Sequence, residues 1–163
     1  MKMLRTVAFL AIGFNLVACS LVPGSIFDPG TQALGGGDRV AVALHLNRSG
    51  CIQGGEKVII TMKIVNNSNK DIILQAENKP VADIVVVNPL SKTTIISWAT
   101  QNPNDVSTTL SLSPNEAKSY ELVWNTTEGP YPKGFEMHIS GLVNEGTKVQ
   151  NFANLAVCMR PQD

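Results

Sequence analysis

From Arg39 onward the chain alternates apolar and polar residues with a period of two, and this pattern limits the folds open to it. Val40, Val42, Leu44 and Leu46 alternate with Ala41, Ala43 and His45. Val58, Ile60, Met62 and Ile64 share one face of the next run. Ile72–Gln75, Asp83–Val87 and Thr94–Trp98 follow, then Leu110 with Leu112, then Tyr120, Leu122 and Trp124. Phe135, Met137 and Ile139 repeat the pattern, and Val149–Val157 ends it. Period two with β-branched enrichment predicts half-buried strands. Between the runs lie turn-forming clusters: Asn66-Asn67-Ser68-Asn69, Asn88-Pro89, Asn102-Pro103-Asn104, Ser113-Pro114-Asn115 and Gly129-Pro130. No segment has the pattern of a long amphipathic helix. About eight or nine short strands at this spacing predict two packed antiparallel sheets, with a closed barrel as the alternative.

The first residues read differently. Lys2 and Arg5 charge the start, and Val7–Ala18 is apolar apart from Gly13 and Asn15. Such a run fits a signal-peptide core and is short for a membrane-spanning helix. It leads through Leu16-Val17-Ala18 into Cys19, which resembles the bacterial lipobox. That resemblance implies removal of residues 1–18, diacylglycerol on the Cys19 thiol, and a fatty acid such as palmitate on the new amino terminus. Membrane lipid is then the first expected partner. Two or more acyl chains hold a protein stably at a bilayer, because each buried methylene contributes roughly 0.8 kcal/mol. Ser20 after the cysteine resembles an outer-membrane sorting signal. The expected location is thus the cell membrane or the outer membrane, with the domain facing the periplasm or the exterior.

Residues 19–38 carry Pro23-Gly24, Pro29-Gly30 and Gly35-Gly36-Gly37 and keep no period. They read as a lipidated cysteine followed by a flexible linker, with Ile26, Phe27 and Leu34 as the residues able to dock on the domain. Residues 39–163 form the expected domain. With 145 of 163 residues left after cleavage, one domain with a substantial core fits. Losing Lys2 and Arg5 leaves 11 cations against 13 anions. With no basic stripe, nucleic acid is not an expected partner.

Cysteine count fits the same picture. Cys19 is assigned to lipid, which leaves Cys51 and Cys158. Outside the cytoplasm a disulfide between them is the expected state. They lack the paired short spacings of a zinc site, so no metal is expected.

No catalytic set is legible. His45 and His138 each lie opposite the apolar set of their strand, the place of a solvated histidine rather than a general base. Asp71, Asp83 and Asp105 lie in or beside turns, where such residues more often cap than catalyse. No nucleophile elbow, zinc-protease helix or phosphate-binding glycine loop occurs, and no cofactor is expected. Asn47-Arg48-Ser49, Asn66-Asn67-Ser68 and Asn125-Thr126-Thr127 match the glycosylation acceptor pattern and read as chance matches in a bacterial lipoprotein. Trp98, Trp124 and Tyr120 read as core anchors. Tyr131, held between Pro130 and Pro132, has two readings: corner packing, or a stiff exposed partner contact together with the two prolines.

The stretch from about residue 57 to residue 142 resembles the intracellular proteinase inhibitor family called BsuPI. The resemblance rests on several features in order. Val65-Asn66-Asn67-Ser68 ends a strand, and Asp71 opens the next. Asp83 heads Ile84-Val85-Val86-Val87, followed by Ile96-Ser97-Trp98. Then come Leu110-Ser111-Leu112-Ser113-Pro114-Asn115-Glu116, Tyr120, Trp124 and Gly129-Pro130-Tyr131. The resemblance implies an immunoglobulin-like sandwich and, by the family name, proteinase inhibition. An export signal, a lipid anchor and a disulfide depart from an intracellular pattern, so the implied target becomes an envelope proteinase. The combined expectation is a non-catalytic protein-binding domain whose partner is another envelope protein, contacted through loops at one end of the sandwich or through an unpaired edge strand. The alternatives are a narrower role as proteinase inhibitor through the exposed loop 128–134, or a structural subunit of a membrane assembly.

Overall fold

The computed structural model describes residues 32–127 and 131–160. Ten strands and one short helix occur in the order β1 (Gln32–Gly36), β2 (Val40–Leu46), β3 (Lys57–Asn66), β4 (Ile72–Gln75), β5 (Ala82–Asn88), β6 (Thr93–Ser97), α1 (Trp98–Gln101), β7 (Thr109–Leu112), β8 (Ala117–Asn125), β9 (Glu136–Glu145) and β10 (Lys148–Cys158). One sheet has the order β1-β2-β3-β8, and the second has β10-β9-β5-β6. β4 and β7 form a separate two-stranded ribbon. Every pairing between strands is antiparallel. Among the described residues the two large sheets share no hydrogen-bonded strand pair, so the architecture is a sandwich and not a closed barrel.

The period-two pattern sorts side chains between the two faces of each sheet. Val40, Val42, Leu44 and Leu46 of β2, and Val58, Ile60, Met62 and Ile64 of β3, are buried. Leu122 and Trp124 of β8 continue that inner face. Opposite them lie Ala82, Ile84 and Val86 of β5, Met137, Ile139 and Val143 of β9, and Ala153, Leu155 and Val157 of β10. Burial of each large aliphatic side chain here contributes about 1.5–3 kcal/mol. Gly141 sits in the middle of β9, where an added Cβ would lie 2.8 Å from Met62 Sδ and 3.0 Å from Leu44 Cδ2. Its missing side chain lets the two inner faces approach.

Two devices close the sides of the sandwich. On one side β1 lies against β10. A Cβ on Gly35 would fall 1.7 Å from the Phe152 carbonyl oxygen, so only glycine permits this backbone contact. On the other side α1 packs between β5, β6 and β8. Ser97 caps it: its hydroxyl accepts from the Thr100 amide at 3.2 Å, and Thr100 Oγ1 accepts in return from the Ser97 amide at 3.3 Å. Trp98, the first helical residue, meets Tyr120 of β8 edge-on, with ring centroids 4.9 Å apart.

β1 corrects the reading of residues 19–38 as linker throughout, because Gln32–Gly36 form a strand of the first sheet. The strand escaped notice because Ala33 and Gly35, which lie against the rest of the domain, carry almost no side chain. They are small because a neighbouring backbone occupies the space. Leu34 points away and is 68% exposed, so it does not dock. A second correction concerns Trp98, which opens a helix rather than ending a strand. Residues 1–31, with the signal segment and Cys19, lie outside the described residues, as do 128–130 and 161–163.

The buried polar residue Asn66 joins three elements. Its Nδ2 donates to the Lys70 carbonyl at 2.8 Å and to the Leu112 carbonyl at 3.0 Å. Its Oδ1 accepts from the Ser68 amide at 2.9 Å and from the Ser68 hydroxyl at 2.7 Å. The end of β3, the turn into β4 and the end of β7 are thereby held by one side chain whose hydrogen-bonding capacity is fully used.

Candidate functional site

The expected catalytic groups do not converge. His45 on β2 and His138 on β9 are both exposed and stand on different sheets. Asp71 is exposed in the turn before β4. Among the described residues no group of three His, Cys, Asp or Glu side chains is placed to hold a metal ion.

Asp83 is structural. Its Oδ1 accepts from the Ile84 amide at 2.9 Å and from the Ala99 amide at 3.0 Å, which ties β5 to the first turn of α1. Burial pushes its carboxyl above the ordinary range, against the lowering effect of bonds from Ala99, Ile84, Trp98 and Ser97. Asp105 lines a notch with Trp98, Lys118 and Tyr120. Burial likewise raises the Tyr120 phenol above its usual value.

Cys51 and Cys158 form the disulfide, with their Cα atoms 4.7 Å apart. The bond joins the segment after β2 to the end of β10. A parallel bridge between Ile52 and Met159 lies beside it. The Ile52 amide donates to the Cys158 carbonyl at 2.8 Å, and the Arg160 amide donates to the Ile52 carbonyl at 2.7 Å. Arg48 completes the corner, pairing with Glu56 and donating to the Cys51 carbonyl at 3.1 Å.

Of the three loop residues singled out as partner contacts, Tyr131 is half-buried and Pro132 is exposed, while Pro130 lies outside the described residues. The Tyr131 hydroxyl donates to the Thr127 carbonyl at 3.0 Å, and its ring stacks on Phe135 at 5.6 Å. Those contacts turn the ring inward at a corner of the sandwich and leave Pro132 at the surface.

The sequence points to an unpaired edge strand as a partner contact without saying which one; β6 is such an edge among the described residues. Its sequence Thr93-Thr94-Ile95-Ile96-Ser97 contains no charge and no proline. Among the described residues β6 pairs only with β5. Ile95 is 45% exposed, and Leu90, in the preceding turn, is 76% exposed. Edges of sheets are ordinarily protected by charge, proline or cover. The opposite sheet's edge β8 has such protection: it bears Lys118 and Glu121, and Gln101 Nε2 donates to its Val123 carbonyl at 2.9 Å.

The outer face beside β6 is also free of charge over its central rows. Asn154, Ser140 and Val85 are aligned across β10, β9 and β5, and Ala156, His138 and Val87 form the next row. The run of uncharged β-formers at 93–97 is the signal in the sequence that would have marked this edge.

No protein-family model matches the chain, and no curated protein matches it. Among solved structures, the C-terminal domain of Wzt is similar, with a TM-score of 0.55 at 11% sequence identity over 83% of this chain and 84% of that one. A CARDB domain from Pyrococcus furiosus, solved in complex with di-metal ions, aligns with a TM-score of 0.44 at 15% identity over 77% of this chain and 92% of that one. At such identities the Wzt likeness speaks to fold alone. Together with the observed sheet order, it describes this chain as an immunoglobulin-like antiparallel β-sandwich.

Proposed function

We propose that the protein is an extracytoplasmic lipoprotein, anchored through Cys19, whose sandwich binds another envelope protein and catalyses no reaction. The observation that carries the binding reading is β6, an uncharged free edge with Ile95 and Leu90 exposed beside it. Such an edge accepts an extended partner segment as a further strand: main-chain hydrogen bonds give affinity and alternate side chains give selectivity. The Cys51–Cys158 bond supports the compartment, since structural disulfides belong to oxidising environments.

Crosslinking in intact cells tests the binding reading. Lys92 precedes β6 and supplies a reactive amine. It is expected to crosslink reproducibly to one envelope protein, and Ile95→Asp with Leu90→Ser should abolish that crosslink. A Lys92 crosslink pattern unchanged by the double variant refutes the edge as the binding site. The anchor has its own test: palmitate labelling and membrane retention should both disappear in Cys19→Ser. Retention without label would leave the protein held by something other than lipid.

The BsuPI resemblance supports a narrower version, in which the partner is an envelope proteinase. Titrating envelope proteinases with the purified domain tests it, and unchanged rates at excess domain reject it for those enzymes.

A further inference from the structure

Leu34 and Phe152 face each other across a notch where β1 of one sheet meets β10 of the other. Leu34 is 68% exposed and Phe152 is 52% exposed, among the larger apolar exposures of the domain. Gly35, Gly36, Gln150 and Asn154 also line the notch, and no charged side chain does. Large apolar side chains exposed together mark an interaction surface. Charges flank the notch: the Arg39–Glu145 pair and Asp38 line the adjoining hollow that shares Gln150, where headgroups would meet them, while Glu136 ends the outer row of β9 and Asp83 is committed to α1.

What covers this surface follows from where the chain enters it. β1 is the first strand among the described residues, and twelve residues separate Cys19 from Gln32. A segment of that length can reach at most about 45 Å from Cys19 to the start of β1. If Cys19 carries lipid, β1 and the β10 strand beside it are the part of the described domain with the least chain between it and the anchor. The opposite edge of the same sheet, β6, stands three strand spacings away, about 14 Å across.

We propose that Leu34 and Phe152 form a shallow membrane contact, seated in the headgroup–acyl boundary of the bilayer that holds Cys19. The contact fixes the orientation of the domain: β1 and β10 lie against lipid, and β6 is turned toward its partner. The inference rests on the lipoprotein reading. It adds a second, non-covalent point of attachment, which converts a swinging domain into a standing one.

The test uses the full lipidated protein reconstituted in phosphatidylcholine vesicles with brominated acyl chains. Cys51 and Cys158 are joined and Cys19 is acylated, so a new cysteine is the single site for a fluorescent label. Asn154→Cys places that label at the notch, and Leu90→Cys places it at the far edge. Quenching at the notch should exceed that at the far edge roughly twofold or more, because an interfacial contact buries only about 5–10 Å into the boundary. Adding Leu34→Ser and Phe152→Ser should leave the protein on the vesicles and remove the difference. Equal quenching at the two positions, with the protein still on vesicles, overturns the contact and spares the anchor. Failure to cofractionate with vesicles at all overturns both.

Discussion

Asn66→Ala tests whether one buried amide holds the β4–β7 ribbon to the sandwich. Four side-chain hydrogen bonds are lost, two donated to Lys70 and Leu112 and two accepted from Ser68. The Ser68 groups and the Lys70 carbonyl lie near solvent and regain water, so they cost little beyond the net value of a bond, about 1 kcal/mol each. The Leu112 carbonyl is buried. Left without a donor, it adds about 1–3 kcal/mol. Allowing for overlap between the two Ser68 bonds, the expected loss is about 3–5 kcal/mol. Urea unfolding followed by tryptophan fluorescence measures it, since Trp98 and Trp124 are both buried. With a slope of about 1–3 kcal/mol per molar urea, the midpoint should fall by roughly 2 M. Asn67→Ala is the control, because Asn67 is exposed and its side chain makes none of these bonds. Asn66→Asp should be at least as damaging at neutral pH, since it sets a carboxylate against two carbonyl oxygens. Acid should restore part of the loss by giving back one donor. A loss below about 1 kcal/mol in Asn66→Ala, or an equal loss in Asn67→Ala, would refute the reasoning.

Three further outcomes are expected. Reduction of Cys51–Cys158, or its replacement by serines, frees a separation of 107 residues and should cost about 4–5 kcal/mol in the chain-entropy model; coincident urea midpoints for oxidised and reduced protein would contradict it. Gly35→Ala drives a methyl into the Phe152 carbonyl and should detach β1 from β10, read as faster amide exchange in β1 and β2, whereas Gly50→Ala, which strains its own turn at φ +75° but meets no neighbouring atom, should leave exchange at the seam unchanged. Asp83→Asn keeps an oxygen for the Ile84 and Ala99 amides and removes a buried charge. Because the folded-state carboxyl titrates above its unfolded value, the native state takes up this proton first as pH falls. The penalty on the wild type is full at neutral pH and fades through the acid range, so the advantage of Asp83→Asn in urea midpoint should shrink with acidification; a constant advantage would remove Asp83 as its source.

The sandwich was legible in the sequence because burial on one face of a strand writes itself as alternation. β2, β3, β4, β8 and β10 lie where Val40, Val58, Ile72, Tyr120 and Val149 begin their runs. The cysteine pairing followed from a count of three with one assigned to lipid. What the pattern did not carry is informative. β1 is stabilised by backbone approach, and glycine and alanine leave no alternating trace. α1 hides behind Ile95-Ile96-Ser97-Trp98, which continues the apolar spacing of a strand until the Ser97–Thr100 cap turns the chain. Asn66 reads as a turn residue among other asparagines, and its burial depends on Leu112, 46 residues away. The place of the free edge was only half written: the uncharged run at 93–97 marks a strand open to pairing, while which strand stands last in a sheet is decided by long-range pairing.

The disulfide has a consequence for damage as well as for stability. Nearly the whole sandwich, from β3 through β10 and including the loop at 128–134, lies between Cys51 and Cys158. A single peptide-bond cut anywhere in that interval opens a ring and does not divide the molecule. Both pieces remain one covalent body, still continuous with the leash that leads back to Cys19. Under the proposed anchoring at Cys19, the domain can therefore be nicked without being shed. On a gel such a cut would stay invisible until reductant is added.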